Sequence, residues 1–204
     1  MDEQTAFDEL SELSTAIISD AMFRMGHKDR TMRARIKPLD DSMRMAGPAC
    51  TAQAYPGATY ASSLAVEAAR PGDVIVIDAQ SFLEAVMWGE IYSLMAMERG
   101  IAGTVVDGAV RDIDDVRELG YPLFSAGVHP GAGTGDKLGK VNIPIQCGGI
   151  VVRPGDLVFG DLLGVVIVPP EELLQVHEWC RKVVEKEEQM KADIRARIQA
   201  GRQA

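Results

Sequence analysis

Arg111 and Asp112 place a permanent cation beside a carboxylate, directly after the apolar run Thr104-Val105-Val106-Asp107 and the turn Gly108-Ala109-Val110. A guanidinium grips an anionic substrate through its fixed fork of N–H groups, and a carboxylate can hold a hard divalent metal. In an α/β sheet, ligands collect outside the carboxyl ends of strands, and this pair falls at such an end. The competing role is local. Asp112 opens a predicted helix and Asp115 stands three residues on, so Asp112 either caps that helix or binds a ligand. Glu90 is the second candidate, a carboxylate after the apolar stretch Ala85-Val86-Met87-Trp88 and Gly89. It lies either on a helix's wet edge or at a site. Gly89 weakens a helix interior by about 1 kcal/mol. That hints at a helix starting near 89, with the N–H groups of Glu90, Ile91 and Tyr92 free to take an anion.

Other motifs carry less. The run Gly131-Ala132-Gly133-Thr134-Gly135 follows Pro130 and lacks the Lys-Ser/Thr of a phosphate loop, so it reads as a plain loop. No G-x-G-x-x-G follows a strand, which argues against a nucleotide or S-adenosylmethionine fold. His27, His129 and His177 show no metal-binding spacing; His129, at a strand end, either faces the site or, the preferred reading, is a satisfied structural histidine. A Schiff base needs a buried lysine of lowered pKa. All seven lysines (28, 37, 137, 140, 182, 186 and 191) lie in polar stretches, so carbonyl chemistry here points to a metal. Cys50, Cys147 and Cys180 are far apart and form no C-x-x-C pair; they read as reduced thiols, not as a zinc site.

These residues need a scaffold, and 204 residues suit one domain spanning 1–204. The composition, 47% hydrophobic and 25% charged, is that of a globular chain. A net charge of −9 repels phosphate backbones and argues against nucleic-acid binding. The start, Met1-Asp2-Glu3-Gln4, is acidic where a signal peptide is basic, and no apolar run reaches the roughly 20 residues of a membrane helix. A cytoplasmic protein without membrane contact is expected.

Apolar steps of three and four from Leu10 to Met25 predict a helix closed by Gly26. Strands are expected at 49–55, 74–78 and 104–107, with helices at 62–69, 85–99 and 112–119. The alternation from 73 to 126 predicts a βαβ unit with a right-handed crossover. Short β pieces at 141–145, 150–152, 157–159 and 165–168 predict a meander or a second sheet. A helix opening at Pro169-Pro170-Glu171-Glu172 runs to about Ala200, long enough to project past its own core toward a neighbouring subunit.

Five segments carry a resemblance: Leu13–Ala21 (LSTAIISDA), Arg70-Pro71-Gly72-Asp73-Val74, Trp88-Gly89-Glu90, Gly108-Ala109-Val110-Arg111-Asp112 and Arg153-Pro154-Gly155-Asp156. In this order they resemble the family of the regulator of ribonuclease activity A and the 4-hydroxy-4-methyl-2-oxoglutarate / 4-carboxy-4-hydroxy-2-oxoadipate aldolases. The family's aldolase signature is an acid, a gap, then Arg-Asp; here twenty residues separate Glu90 from Arg111. The resemblance implies an α/β fold, a three-layer β/β/α swivelling-type domain, assembled as a homotrimer or hexamer. It implies Mg²⁺ or Mn²⁺ on Asp112, Arg111 on the keto oxygen of a small 2-oxo acid, and backbone amides of Gly89, Glu90, Ile91 and Tyr92 on its carboxylate. Glu90 would position water on the metal or transfer protons. A further acid, Glu187 or Glu188, would come from the last helix of a neighbouring subunit. The implied activity is cleavage to pyruvate, with oxaloacetate decarboxylation beside it; the alternative is a non-catalytic protein that binds and inhibits a ribonuclease. One departure stands out: the leading acid is often Asp in the family's aldolases and is Glu here, which shifts its oxygens by roughly one C–C bond.

Overall fold

The computed structural model describes residues 1–201. In chain order its elements are α1 (Glu3–Glu12), α2 (Thr15–Arg24), β1 (Lys37–Pro38), β2 (Met45–Ala54), α3 (Tyr60–Ala68), β3 (Val74–Trp88), α4 (Glu90–Glu98), β4 (Gly103–Val110), α5 (Ile113–Leu119) and β5 (Leu123–Val128). Then follow β6 (Gly139–Val141), β7 (Ile145–Cys147), β8 (Ile150–Val152), β9 (Leu157–Asp161), β10 (Gly164–Val168), a 3₁₀ turn at Pro170–Glu172 and α6 (Leu173–Gly201).

Strands β2, β3, β4 and β5 pair in parallel, with α3, α4 and α5 as the connections between them. Every residue of β4 is buried, as expected of a central parallel strand covered on both faces. The main sheet runs β1-β5-β4-β3-β2-β9-β10, with β6 on β2; β7 and β8 form a separate two-stranded sheet that packs on β3. Large sheet, small sheet and helices make an α/β fold in β/β/α layers with a long C-terminal helix. The β pieces after 127 therefore divide between the two sheets: β9 and β10 extend the large one antiparallel to β2, and only β7 and β8 form a second sheet. The piece expected at 141–145 is likewise two strands, β6 and β7, interrupted at 142–144.

Two other expectations change. The helix foreseen over 10–25 is two helices broken at Leu13-Ser14. The Ser14 hydroxyl accepts from Ile17 N–H at 3.4 Å, and buried Asp161 takes the Thr15 N–H at 2.8 Å and its hydroxyl at 2.6 Å. These bonds restart the helix at a new angle, a tertiary demand that the apolar period does not report. Residues 85–88 belong to β3, not to a helix, because β3 continues along β4 through three register shifts.

Burial alone would raise the Asp161 pKa, but the Thr15 hydroxyl and N–H, with the Leu163 N–H, hold it below the ordinary carboxylate value. A carboxyl depressed in the fold contributes stability above its unfolded pKa and loses it as pH falls through the folded value. Asp161→Asn is thus expected to cost about 1–3 kcal/mol at pH 7 and to flatten the loss of stability below about pH 4. Urea unfolding at pH 7 and pH 3 measures this; an unchanged difference between the two pH values would refute it.

Leu157, Phe159, Val166 and Val168 of β9 and β10 pack with Ala6, Leu10, Ile18 and Met22 of α1 and α2, and with Leu173, Val176 and Cys180 of α6. The last buried residue of α6 is Val183; beyond it Met190, Ile194 and Ile198 are exposed in a row four residues apart. The three cysteines are free and buried. Burial pushes the Cys50 thiol up to about 11 and the Cys180 thiol to about 12, and raises Cys147 well above its usual value, so all three stay protonated. No described helix is long and apolar enough to cross a membrane.

Candidate active site

The end of β3 is fixed by an aromatic corner. The Trp88 indole N–H donates to Ser93 Oγ at 3.0 Å, and that hydroxyl donates to Gly89 O at 3.0 Å. The Trp88 ring lies 6.5 Å from Tyr121, nearly parallel at 11°, and 5.3 Å from Tyr92. The Tyr121 hydroxyl is itself bonded to Thr104 of β4 at 2.7 Å. Immediately after this corner Gly89 is fully extended and α4 begins at Glu90 with no side-chain cap at Gly89. The break at Gly89 is where the glycine hinted, and it opens the first-turn N–H groups of α4.

Asp112 stands just before α5, but its side chain does not cap that helix. Its backbone is left-handed, φ 55° and ψ 44°, a strained setting that Asp tolerates better than most residues. The turn sends the carboxylate across to α4. Asp112 Oδ2 accepts from Glu90 N–H at 3.1 Å and lies 3.4 Å from Arg111 Nε. Asp112 thus caps the neighbouring helix from outside, where the helix dipole favours negative charge. Its Oδ1 has no protein partner among the described residues. Arg111 N–H donates to Trp88 O at 3.1 Å, which ties this turn to the aromatic corner. The two side chains remain 44% and 32% exposed, so neither is locked into the interior.

Gly89 makes the close approach possible. A Cβ there would collide with Asp112 Oδ2 and come within 3.2 Å of Arg111 Cγ. The result is a cleft of about 190 Å³ into which Gly89, Ile91, Tyr92, Arg111 and Asp112 all face. Its far wall is Thr59, Ala132 and Gly133, held together by the Thr59 N–H and hydroxyl on Thr134 O at 3.0 and 3.1 Å. Thr59 carries no signal in the sequence, whereas Ala132 and Gly133 belong to the glycine-rich run. The glycine-rich run is a loop, as read, but the loop closes the site.

Glu90 contributes its backbone N–H; its side chain is not part of the cleft wall. Glu187 and Glu188 lie far along α6, both facing Lys191 at 3.4 and 2.9 Å, and do not line the cleft of their own chain. His129 Nδ1 accepts the Gly131 N–H at 2.9 Å, a structural role, and the residue also lines the hollow beside Arg111 and Asp112. A second hollow of about 430 Å³ adjoins the cleft, shares Arg111 and Asp112 with it, and is walled by Val110, Ile113, Val128, His129 and Pro130. A larger one, about 590 Å³ between α1 and α6 around His177 and Glu9, contains none of the strand-end residues. All seven lysines are exposed, so none has the burial a Schiff-base lysine requires.

The description RraA-like, Aldolase/RraA, matches residues 15–167, three quarters of the sequence. The chain belongs to the RraA-like family. Among RraA-like proteins, one from Halalkalibacterium halodurans, provisionally named 4-hydroxy-4-methyl-2-oxoglutarate aldolase, is 38% identical over 188 residues, covering 92% of this chain and 84% of that one. An uncharacterised Pseudomonas syringae pv. tomato protein of known structure superposes with a TM-score of 0.82 at 31% identity, over 95% of this chain and 93% of that one. RraAS2 of Streptomyces coelicolor, described as an unusual member of the RNase ES inhibitor RraA protein family, superposes with a TM-score of 0.79 at 28% identity, over 92% and 96% of the two chains.

Proposed function

We propose that this RraA-like chain is a metal-dependent lyase that cleaves a 4-hydroxy-2-oxo acid of the 4-hydroxy-4-methyl-2-oxoglutarate type to pyruvate, and that it also decarboxylates oxaloacetate. One observation carries the reading: Arg111, Asp112 and the open N-terminus of α4 converge on one cleft. The aldolase name of the Halalkalibacterium halodurans relative supports it.

The described residues include no cluster of three or more His, Cys, Asp or Glu side chains that could cage an ion. One carboxylate with a free oxygen fits a hard ion that keeps most of its water, Mg²⁺ or Mn²⁺, and does not fit a caged zinc. Bound at Asp112, such an ion would supply Lewis-acid polarisation of the 2-oxo group. The chain does the rest. The Ile91 and Tyr92 N–H groups take the substrate carboxylate at the positive end of α4. The terminal N–H groups of Arg111, which have no protein partner among the described residues, take the 2-oxo oxygen. The proton of the 4-hydroxyl passes to a carboxylate, the C3–C4 bond breaks, and its electron pair moves into the C2–O system to give a pyruvate enolate. Arg111 stabilises that oxyanion until C3 is protonated. The accepting carboxylate is Glu187 or Glu188 of a neighbouring subunit in a homotrimer or hexamer, or Glu90, whose side chain lies outside the cleft wall and must turn in to reach the hydroxyl; the bare end of α6 is suited to such a contact.

Pyruvate release from 4-hydroxy-4-methyl-2-oxoglutarate and from oxaloacetate, coupled to NADH oxidation by lactate dehydrogenase, tests this. Activity is expected with Mg²⁺ or Mn²⁺ and is expected to vanish with a chelator and return on adding metal. No release from a panel of branched 4-hydroxy-2-oxo acids by folded protein would reject the reading. The net charge of −9 and the likeness to RraAS2 favour a second role, binding a basic surface of a ribonuclease. Ribonuclease inhibition by the same preparation, with Arg111→Ala as comparison, separates the two roles.

A further inference from the structure

A second polar cavity, about 290 Å³, lies away from the cleft, where β3 and β4 meet the β7–β8 sheet. Two carboxylates line it, Asp78 and Asp107, only 7% and 4% exposed. Burying a carboxylate is costly unless charge and hydrogen bonds repay it. For Asp107 the repayment is complete. Arg35 grips it through Nε at 3.2 Å and the terminal NH2 group at 2.9 Å, Ser81 Oγ donates at 3.1 Å and Gly148 N–H at 2.9 Å. Asp78 is different. It accepts the Gln80 N–H at 2.9 Å, and the Gln53 side chain across the β2–β3 pairing also favours its charged form, yet no cation lies within ion-pair distance of it among the described residues. Burial first, and the Asp107 charge as well, push its pKa above the usual carboxylate value, the mark of a charge short of partners.

Arg33 is the mirror case. It is exposed at the cavity rim, its side chain from Cγ to Nε fills the space a Cβ at Gly149 would take, and its guanidinium has no ion pair or hydrogen bond among the described residues. Two consecutive residues between these walls, Gln80 and Ser81, are left-handed at φ 57° and 58°, strained for non-glycine residues. That bulge in β3 is what aims the Gln80 N–H at Asp78 and the Ser81 hydroxyl at Asp107 and Arg35, 2.7 Å away. Strain of this kind marks positions that the surrounding structure holds for a purpose.

We propose that this cavity binds a small zwitterion of the α-amino-acid class, its ammonium group on Asp78 and its carboxylate on Arg33. Arg35 and Asp107 neutralise each other, so the poles left over are one carboxylate and one guanidinium. With that pair neutralised, a simple anion would meet Asp78 and a simple cation would meet Arg33; a net-neutral ligand with both charges meets neither obstacle.

The standard L-amino acids, tested singly on the full chain by calorimetry and thermal shift, decide the matter, with acetate and methylammonium as single-charge controls. At least one amino acid is expected to bind saturably and to raise the melting temperature. Both controls are expected to be about tenfold weaker or worse, each lacking one charged hydrogen bond. Arg33→Gln, at the exposed rim, and Asp78→Asn, on the floor, are each expected to weaken binding by about tenfold or more. Arg33→Gln keeps the test decisive if Asp78→Asn does not fold. No saturable amino acid, acetate binding as tightly as the best amino acid, or full affinity in Arg33→Gln would each overturn the proposal. The outcome is independent of pyruvate release, since neither residue lines the catalytic cleft.

Discussion

Arg111→Ala is expected to reduce pyruvate release by about 10²–10³-fold, the usual loss when one donor to a developing oxyanion is removed. The loss should fall on kcat more than on KM, because the enolate oxygen carries more charge in the transition state than the ketone does at rest. Stability should hardly change: the side chain is 44% exposed, and its one ion pair among the described residues, 3.4 Å to Asp112, is long and open to solvent. Arg111→Lys is expected to recover little, since an ammonium is a point charge that cannot present the planar fork. Steady-state kinetics with thermal melts of all three proteins provide the check. Near-normal kcat in the folded alanine variant would remove Arg111 from the chemistry.

Gly89→Ala is the smallest change with a comparable effect. The backbone of Gly89 is extended, φ −169°, which any residue can adopt, so the cost is purely steric. The added methyl must displace the Asp112 carboxylate, which then loses the Glu90 N–H. A displacement near 1 Å at a positioned group can cost about 10²-fold in rate, whereas overpacking costs about 1–3 kcal/mol of stability. Activity should therefore collapse while the protein still folds, and Mn²⁺ affinity, followed by electron paramagnetic resonance, should fall with it. Full activity and unchanged Mn²⁺ binding would show that the Asp112 position does not matter.

Much of this arrangement can be read from the chain, for particular reasons. Val74–Asp78 and Thr104–Asp107 are continuous apolar runs bounded by turn residues, and central parallel strands must look like that. The start of α4 was visible in Gly89, a poor residue for a helix interior. The continuation of β3 through residues 85–88 was not. Leu83, Glu84, Ala85 and Met87 are helix-favouring residues, and pairing with β4 through successive shifts overrides that preference. Nor could the role of Asp112 be settled from spacing. A capping aspartate and one turned outward by a left-handed backbone look identical in sequence, and only the position of α4 distinguishes them. Thr59 carries no motif, and Gly133 sits in a glycine-rich run whose composition suggests only a loop; both reach the cleft because a short bridge between Ala58 and Thr134 joins two distant loops.

The anion seat proposed at the start of α4 belongs to main-chain amides and not to side chains. Ile91, 65% exposed, can therefore drift to almost any residue while the seat persists, provided the helix still starts where it does. Position 89 has no such freedom. Among related proteins, changes of preferred acid should accordingly track residues such as Thr59 and Ile113 that shape the walls, while the grip on the shared oxo-acid end survives extensive turnover at position 91.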